Sequence, residues 1–271
     1  MNAWWSTQQV PVSREQLAFY EKNGFVTLPD FFSPEEIGRL GDALDSAVAN
    51  KRGRGPGVVG KVGLGENYDR VFNQMVNMWR DCPDIKEFSF HSRLAEAARI
   101  LCKARHVRIY HDHAMIKPPG EASKETNWHQ DGPYWSMEPQ GALSAWIAVD
   151  DVTEANGCLH FVPESYKFGK LRSINLAEKD SVLDVARELG LDVREPVANE
   201  MKAGSVSFHD SFNFHYAGAN TSDTDRRAFA VIYIPDYVVY TGLSDAAGAG
   251  KEMEIGKPWD HPHHPILAGE Q

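Results

Sequence analysis

The chain has no long apolar run, few cysteines and a deficit of positive charge. No stretch of about 18 apolar residues occurs, which excludes a membrane-spanning helix. The N-terminal stretch MNAWWSTQQV lacks the basic start and the apolar core of a signal peptide. We therefore expect a soluble, cytoplasmic protein without a membrane partner.

The charge balance argues against a polyanionic partner. Asp and Glu number 38 against 28 Lys and Arg, a formal net charge of −10. Nucleic acids and anionic membrane surfaces attract an excess of cations, so we expect neither as the main partner.

The three cysteines, Cys82, Cys102 and Cys158, are widely spaced and form no CxxC pair. This pattern favours neither a disulfide framework nor a zinc–thiolate site. We expect reduced and mostly buried thiols.

The first fifty residues predict helix, strand and helix. Ser13 is placed to cap a helix that Gly24 ends, and residues 25–28 (FVTL) read as a short strand. A second helix begins at Ser33, with Pro34 in its first turn and Glu36 as the partner in a capping box.

The middle and the end of the chain predict a mainly β fold. The glycine-rich stretch 51–66 lacks GxxxxGK[ST] and reads as a surface loop. After a helix around RLAEAARILCKA, short β-rich runs separated by turn residues dominate from about residue 106, with an inserted helix at 174–190. This order predicts an antiparallel sandwich or barrel backed by N-terminal helices. We expect one domain over 1–271: helical support to about 105, a β core at about 106–240, and a tail from 241.

The segment WHQDGPYW places two metal-ligand types two residues apart, His129 and Asp131. On a strand, alternate residues share a face, so both side chains could bind one ion. A single HxD is weak evidence, since such pairs also occur on surfaces.

The distal segment FHDSFNFHYAGANTSDTDRRAFAVIYIPD strengthens the metal hypothesis. His215 ends one β-rich run, and Arg226 opens the next strand. Two histidines and one carboxylate form the facial triad typical of non-haem Fe(II) oxygenases. An arginine fork can bind a carboxylate through two bonds, such as the far end of 2-oxoglutarate.

These segments resemble the phytanoyl-CoA dioxygenase family of Fe(II)- and 2-oxoglutarate-dependent oxygenases. The resemblance is carried by WHQDGPYW, LSAWIAVDDVTEANGCLHFVPESYK and HYAGANTSDTDRRAFAVIY, together with KPPG before the first motif. It implies a double-stranded β-helix (jelly roll, cupin-like). It also implies iron ligation by His129, Asp131 and His215, and binding of the distal carboxylate of 2-oxoglutarate by Arg226.

The resemblance further implies co-substrate pocket positions at Trp146 and Met115. The implied cofactors are Fe(II), 2-oxoglutarate as co-substrate and O2, and the implied reaction is hydroxylation of an unactivated C–H bond of a small-molecule substrate. Asp131 disfavours halogenation, because related halogenases carry a small residue at this position.

Two departures from the family pattern are visible. Ala217 stands where a serine is common, and ESYK (164–167) replaces GSHK. We expect ESYK to lie at the surface.

Other candidate residues receive a structural interpretation. His111 and His113 share a strand face and could be rival ligands, although pocket lining or packing is favoured. His209 and Asp210 are adjacent and face opposite ways, Asn220 reads as a turn former, and the prolines of DHPHHP (260–265) suggest an irregular surface tail.

Two other functions stay open: a zinc-dependent hydrolase with the same ligands, and a non-catalytic jelly-roll binding module. We also expect the charged insertion at 171–200 to cover the active site as a mobile lid. Within the pair Arg226 and Arg227, Arg226 should point inward, because it shares its strand face with small residues.

Overall fold

The computed structural model describes residues 11–50, 73–176, 178, 180–242 and 252–270. The predicted loop at 51–66 lies outside the described residues. Nowhere in the described ranges is a helix both long and apolar enough to cross a membrane. All three cysteines are free and buried, as predicted.

Four of the five α-helices in the described residues precede the long strand His106–Lys117, and the fifth lies in the insertion at 171–200. They are α1 (Arg14–Asn23), α2 (Pro34–Ala49), α3 (Pro83–Ser89), α4 (Ser92–Leu101) and α5 (Val182–Glu188). Both predicted N-terminal helices begin with complete capping boxes, at Ser13 and Ser33, and Gly24 ends α1 in the left-handed conformation. The local signals in the sequence therefore set these boundaries.

The strands in chain order are β1 (Phe25–Leu28), β2 (Asn73–Val76), β3 (His106–Lys117), β4 (Thr126–His129), β5 (Met137–Glu138), β6 (Leu143–Ala148), β7 (Leu159–Phe161), β8 (Val197–Asn199), β9 (Val206–Asp210), β10 (His215–Ala217), β11 (Arg226–Pro235), β12 (Val239–Tyr240) and β13 (Ile266–Gly269). Their pairs are antiparallel. A seven-stranded sheet runs β1-β9-β6-β11-β3-β13, with β2 also on β3, and a four-stranded sheet runs β4-β10-β7-β8.

The large sheet separates two hydrophobic layers. On β11, the bulky residues Phe229, Val231 and Tyr233 join the layer that also contains the helices, whereas Ala228, Ala230 and Ile232 face the interior. Because side chains alternate along a strand, this phase leaves an inner face lined by small residues. The space beside that face holds the candidate site.

The predicted fold class is confirmed: a mainly β jelly roll backed by N-terminal helices. Among the described residues its two main sheets contribute to one hydrophobic layer and are not hydrogen-bonded into a closed barrel.

Two local predictions are wrong. The inserted helix spans only 182–188, because Ser181 caps it and Asp180 binds Arg172 and the backbone ahead of it. The DHPHHP tail is not wholly at the surface. His264 is fully buried, its Nδ1 lies 3.0 Å from the carbonyl of Ile109, and β13 follows it.

Candidate active site

Two histidines lie side by side on neighbouring strands. His129 ends β4 and is paired in register with His215 on β10, and their ring centroids are 4.0 Å apart. Each Nδ1 contacts a backbone carbonyl, of Asn127 at 2.7 Å and of Asn213 at 3.0 Å. These contacts fix the rings so that both Nε2 atoms point to one place.

Asp131 completes this cluster by a turn of the chain. Strand β4 ends at His129, and Asp131 adopts helical angles (φ −77°, ψ −45°) ahead of a short 3-10 turn at Gly132–Tyr134. The prediction that strand alternation aligns His129 with Asp131 is therefore wrong in its cause. Its outcome holds, because Oδ1 of Asp131 lies 3.6 Å from the Nε2 atoms of both histidines.

The three ligand atoms all lie within 4.8 Å of one another, and no other group of three or more His, Cys, Asp or Glu in the described ranges meets this criterion. Two imidazoles and one carboxylate suit a divalent transition metal and leave positions free for other ligands. The donor set thus fits Fe(II).

Electrostatics favour the ligand forms of these side chains. Burial, and then His129, hold the pKa of His215 well below its usual range, so the ring is neutral. Burial alone would raise the pKa of Asp131, but the nearby imidazoles of His215, His129 and His209 outweigh burial and hold that pKa well below its usual range. A neutral imidazole and an ionised carboxylate are the states that bind metal.

The second oxygen of Asp131 has neighbours that the sequence interpretation missed. Ser144 on β6 donates to Oδ2 at 3.1 Å, and Nε2 of His209 on β9 lies 3.5 Å from the same oxygen. A signal was present, because Ser144 is in strand phase with Trp146 and shares its inward face. Both residues help to orient the carboxylate.

Arg226 is a buried cation, and no acidic side chain in the described part of the chain pairs with it. It is 2% exposed, and neither Nε nor Nη1 finds a hydrogen-bond partner in the described part of the chain. Nη2 makes one long bond, 3.4 Å, to the carbonyl of Gly157. Burial lowers the pKa of Arg226 to about 10, so it remains charged at neutral pH. A buried charge of this kind is costly unless an anion pairs with it, which fits a carboxylate ligand.

Trp146 and Met115 flank this cation on neighbouring strands. The guanidinium carbon of Arg226 lies 5.2 Å from the centroid of the Trp146 ring, a cation–π contact. Met115 is half-buried against the same interior layer, and its register partner on β11 is Ala228. Trp146 therefore lies beside Arg226, and Met115 lies on the same face two residues before Lys117, the register partner of Arg226.

Arg227 points the other way, as predicted from the strand phase. Its guanidinium pairs with Asp150 at 2.7 Å and with Asp45 of α2 at 2.9 Å. Arg227 thus joins the sheet to the helical layer.

The rival histidines lie near the triad but outside it. His111 and His113 are register partners of Ile232 and Ala230, so they share the inner face. Burial lowers the pKa of His111 to about 3 and that of His113 to about 4, and each has an Nδ1 without a partner among the described side chains and backbone. Both rings are neutral polar groups beside the site.

Loops around the site are held by buried side chains. Asn220, predicted as a turn former, donates to the carbonyls of Lys117 and Thr224. The surface expectation for ESYK is wrong at Ser165, which is buried and accepts from the backbone N–H of Phe214, just before His215.

The described part of the insertion 171–200 lies against the metal-binding turn. The Tyr134 hydroxyl donates to the carbonyl of Ile174 at 2.7 Å, and the Asn127 amide donates to that of Glu178 at 2.6 Å. The backbone of Leu171 donates to the side chain of Gln130.

The chain is similar to proteins of one known family. The family model for phytanoyl-CoA dioxygenase matches residues 20–228. An ectoine dioxygenase from Bordetella parapertussis is 27% identical over 239 residues, which cover 82% of this chain and 75% of the relative. Phytanoyl-CoA dioxygenase 1 from Oryza sativa subsp. japonica is 25% identical over 247 residues, 80% of this chain and 87% of the relative.

A solved structure shares the fold. The non-haem α-ketoglutarate-dependent carbocyclase SnoK from nogalamycin biosynthesis superposes with a TM-score of 0.75 at 23% identity, covering 97% of this chain and all of that one.

Proposed function

The chain belongs to the phytanoyl-CoA dioxygenase family and is a 2-oxoglutarate-dependent non-haem iron dioxygenase, and we propose that it hydroxylates an unactivated C–H bond of a small molecule. One observation carries the proposal: a His–Asp–His cluster lies against the inner face of the large sheet, and that face also carries Arg226, a buried arginine with no acidic partner among the described residues. Such a pair of features suits a metal ion and a dicarboxylate bound side by side.

In this proposal His129, Asp131 and His215 hold Fe(II). Arg226 holds the distal carboxylate of 2-oxoglutarate, while Trp146 and Met115 line the co-substrate pocket. Fe(II) held there would supply oxidative decarboxylation of 2-oxoglutarate to succinate and CO2, coupled to insertion of one oxygen atom of O2 into the substrate.

The residues of the chain bind, orient and exclude water. His129 and His215 present Nε2 because their Nδ1 atoms face backbone carbonyls. Ser144 and His209 hold Oδ2 of Asp131, so that Oδ1 faces the Nε2 atoms of the two ligand histidines. The Trp146 ring against Arg226 keeps the guanidinium dry, which strengthens its attraction for a carboxylate.

The two alternative functions give the buried Arg226 no role. A zinc hydrolase or a metal-free binding module needs no buried guanidinium beside the triad. Asp131 supplies the carboxylate whose loss is typical of halogenases, so halogenation is disfavoured. We further propose that 1–271 acts as one catalytic domain in the cytoplasm, without a nucleic-acid or membrane partner.

The names of the relatives support a small-molecule substrate. By name, these relatives act on ectoine and on phytanoyl-CoA.

A turnover screen tests this proposal. Protein purified without oxygen is loaded with Fe(II) and screened against a metabolite library for stimulated conversion of 2-oxoglutarate to succinate, and products are examined by mass spectrometry with ¹⁸O2. We expect a product with one ¹⁸O atom. Zinc-loaded protein serves as the control. Hydrolysis by that form, or the absence of any succinate, would contradict the proposal.

A further inference from the structure

Lys117 is a buried lysine directly opposite Arg226. It ends β3 and is paired in register with Arg226 of β11, a position in which side chains lie close on one face. It is only 7% exposed. Its Nζ donates to the carbonyl of Lys124 at 2.7 Å and to that of Ala217 at 3.4 Å. Lys117 and Arg226 therefore lie side by side on the inner face of the large sheet, where β3 ends and β11 begins.

A close backbone approach keeps both cations at this end. The carbonyl of Gly157 accepts from Arg226, and a Cβ at Gly157 would lie 3.0 Å from Cδ of Lys117 and 2.4 Å from the carbonyl oxygen of Gly218. Gly157 also has φ +85°, which favours glycine. Only a residue without a side chain lets Lys117 lie against this turn.

No acidic side chain in the described ranges forms an ion pair with either cation. Glu125 attracts Lys117, but it accepts a hydrogen bond from the Tyr216 hydroxyl, and its side chain is exposed. Asp150 attracts Arg226 and is engaged by Arg227 on the other face of the sheet. Two neighbouring buried cations thus have no counter-charge among the described residues.

We propose that Lys117 is a second cation of the co-substrate site and binds the distal carboxylate of 2-oxoglutarate together with Arg226, an inference that rests on the proposed function. Backbone carbonyls hold two of the three Nζ protons, so one donor is available for the ligand. The pair selects a dicarboxylate over a keto acid with an apolar end.

The electrostatics of Lys117 agree with this role. Burial, and then Arg226, lower the pKa of Lys117 to about 7. Roughly half of the lysines are then neutral at pH 7, and a bound carboxylate favours the protonated form. Binding of 2-oxoglutarate should therefore take up a proton. Of the other groups at this end, Arg226 opposes protonation of Lys117 and Glu125 assists it, and the Cys158 thiol beside Arg226 is neutral because burial raises its pKa to about 11.

The alternative is that Lys117 only anchors the loop that follows β3, through the Lys124 carbonyl. The two roles differ in what they do to ligand selectivity. An anchor affects all ligands of the site equally, whereas a cation for the distal carboxylate affects only ligands that have one.

The experiment compares two keto acids by anaerobic calorimetry with Fe(II)-loaded protein. 2-Oxoglutarate carries the distal carboxylate, and 2-oxopentanoate has a methyl group in its place. We expect Lys117→Met to weaken 2-oxoglutarate binding by about tenfold to a hundredfold and to leave 2-oxopentanoate binding within about twofold. Lys117→Arg should retain most of the preference, and Lys124→Met removes an exposed charge nearby as the matched control.

A second measurement needs no variant. In wild-type protein, 2-oxoglutarate binding at pH 7 in buffers of different ionisation enthalpy should show uptake of about half a proton more than 2-oxopentanoate binding. The inference is overturned if Lys117→Met behaves like Lys124→Met, if it weakens both keto acids equally, or if the two ligands take up protons alike. Wild-type protein that fails to bind 2-oxoglutarate would overturn the proposed function as well.

Discussion

Replacement of Arg226 and of its neighbour Arg227 separates a ligand-binding arginine from a structural one. The two residues are adjacent on β11 and point to opposite faces. Arg226 lies inside with two N–H-bearing atoms unpaired, whereas Arg227 is bound to Asp150 and Asp45. The pair is a matched set, since both substitutions remove the same group from the same strand.

The expected magnitudes follow from burial. Truncation of one partner in a buried, hydrogen-bonded charge pair costs about 2–5 kcal/mol. For Arg226→Ala this corresponds to a loss of about thirtyfold to several thousandfold in affinity for 2-oxoglutarate. The ion pairs of Arg227 are partly solvated, and such pairs contribute about 0–1 kcal/mol each to stability. Arg227→Ala should lower the melting temperature slightly and change the 2-oxoglutarate requirement little.

The assay is succinate formation against 2-oxoglutarate concentration at saturating Fe(II), with thermal unfolding of both variants as the folding control. We expect a steep rise in KM for Arg226→Ala alone. Equal effects of the two substitutions, or a larger effect of Arg227→Ala, would refute the assignment of Arg226 to the co-substrate.

Three further predictions concern the surroundings of the site. The described part of 171–200 should exchange its amide hydrogens faster than β9 and β11 and should slow when 2-oxoglutarate binds; exchange as slow as that of the strands, with no response, would exclude a lid. Asn220→Ala removes the amide that donates to the carbonyls of Lys117 and Thr224; loss of the buried bond to Lys117 should cost about 1–3 kcal/mol and lower the denaturation midpoint, with exposed Asp223→Ala as the control. Gly157→Ala forces a side chain into a left-handed backbone position, at about 1–2 kcal/mol, and against the carbonyl oxygen of Gly218. It should therefore lower the melting temperature and weaken 2-oxoglutarate binding. If calorimetry shows the melting temperature and the affinity unchanged, the close packing at Gly157 is contradicted.

Local signals in the sequence were enough for some elements and not for others. The capping boxes at Ser13 and Ser33 involve residues three apart, so the pattern predicts them directly. The helix predicted at 174–190 follows a continuous polar and apolar pattern, but Asp180 and Ser181 use their side chains to end the preceding turn. Strands β2 and β13 are short and exist through pairing with β3, a long-range contact that a single sequence does not display.

Some residues of the candidate site can also be predicted from local sequence patterns, whereas others depend on strand pairing. The strand phase of Arg226 follows from the alternation of small and bulky residues along β11. The approach of Lys117 to Arg226 depends on the register between β3 and β11, which no spacing in the sequence encodes. The adjacency of His209 and Asp210 predicts opposite faces and no joint binding of a metal, but the ring of His209 reaches Asp131 from a third strand.

The metal content of His215→Ala tests whether His129, Asp131 and His215 bind iron. Wild-type protein and the variant are dialysed against Fe(II) without oxygen, and bound iron is quantified by elemental analysis, with exposed His263→Ala as the matched control. We expect one iron per chain in the wild type and in His263→Ala, and none retained by His215→Ala, because the two remaining ligand atoms do not hold the ion. Iron retention by His215→Ala equal to that of the wild type would contradict the assignment of His129, Asp131 and His215 as the metal site.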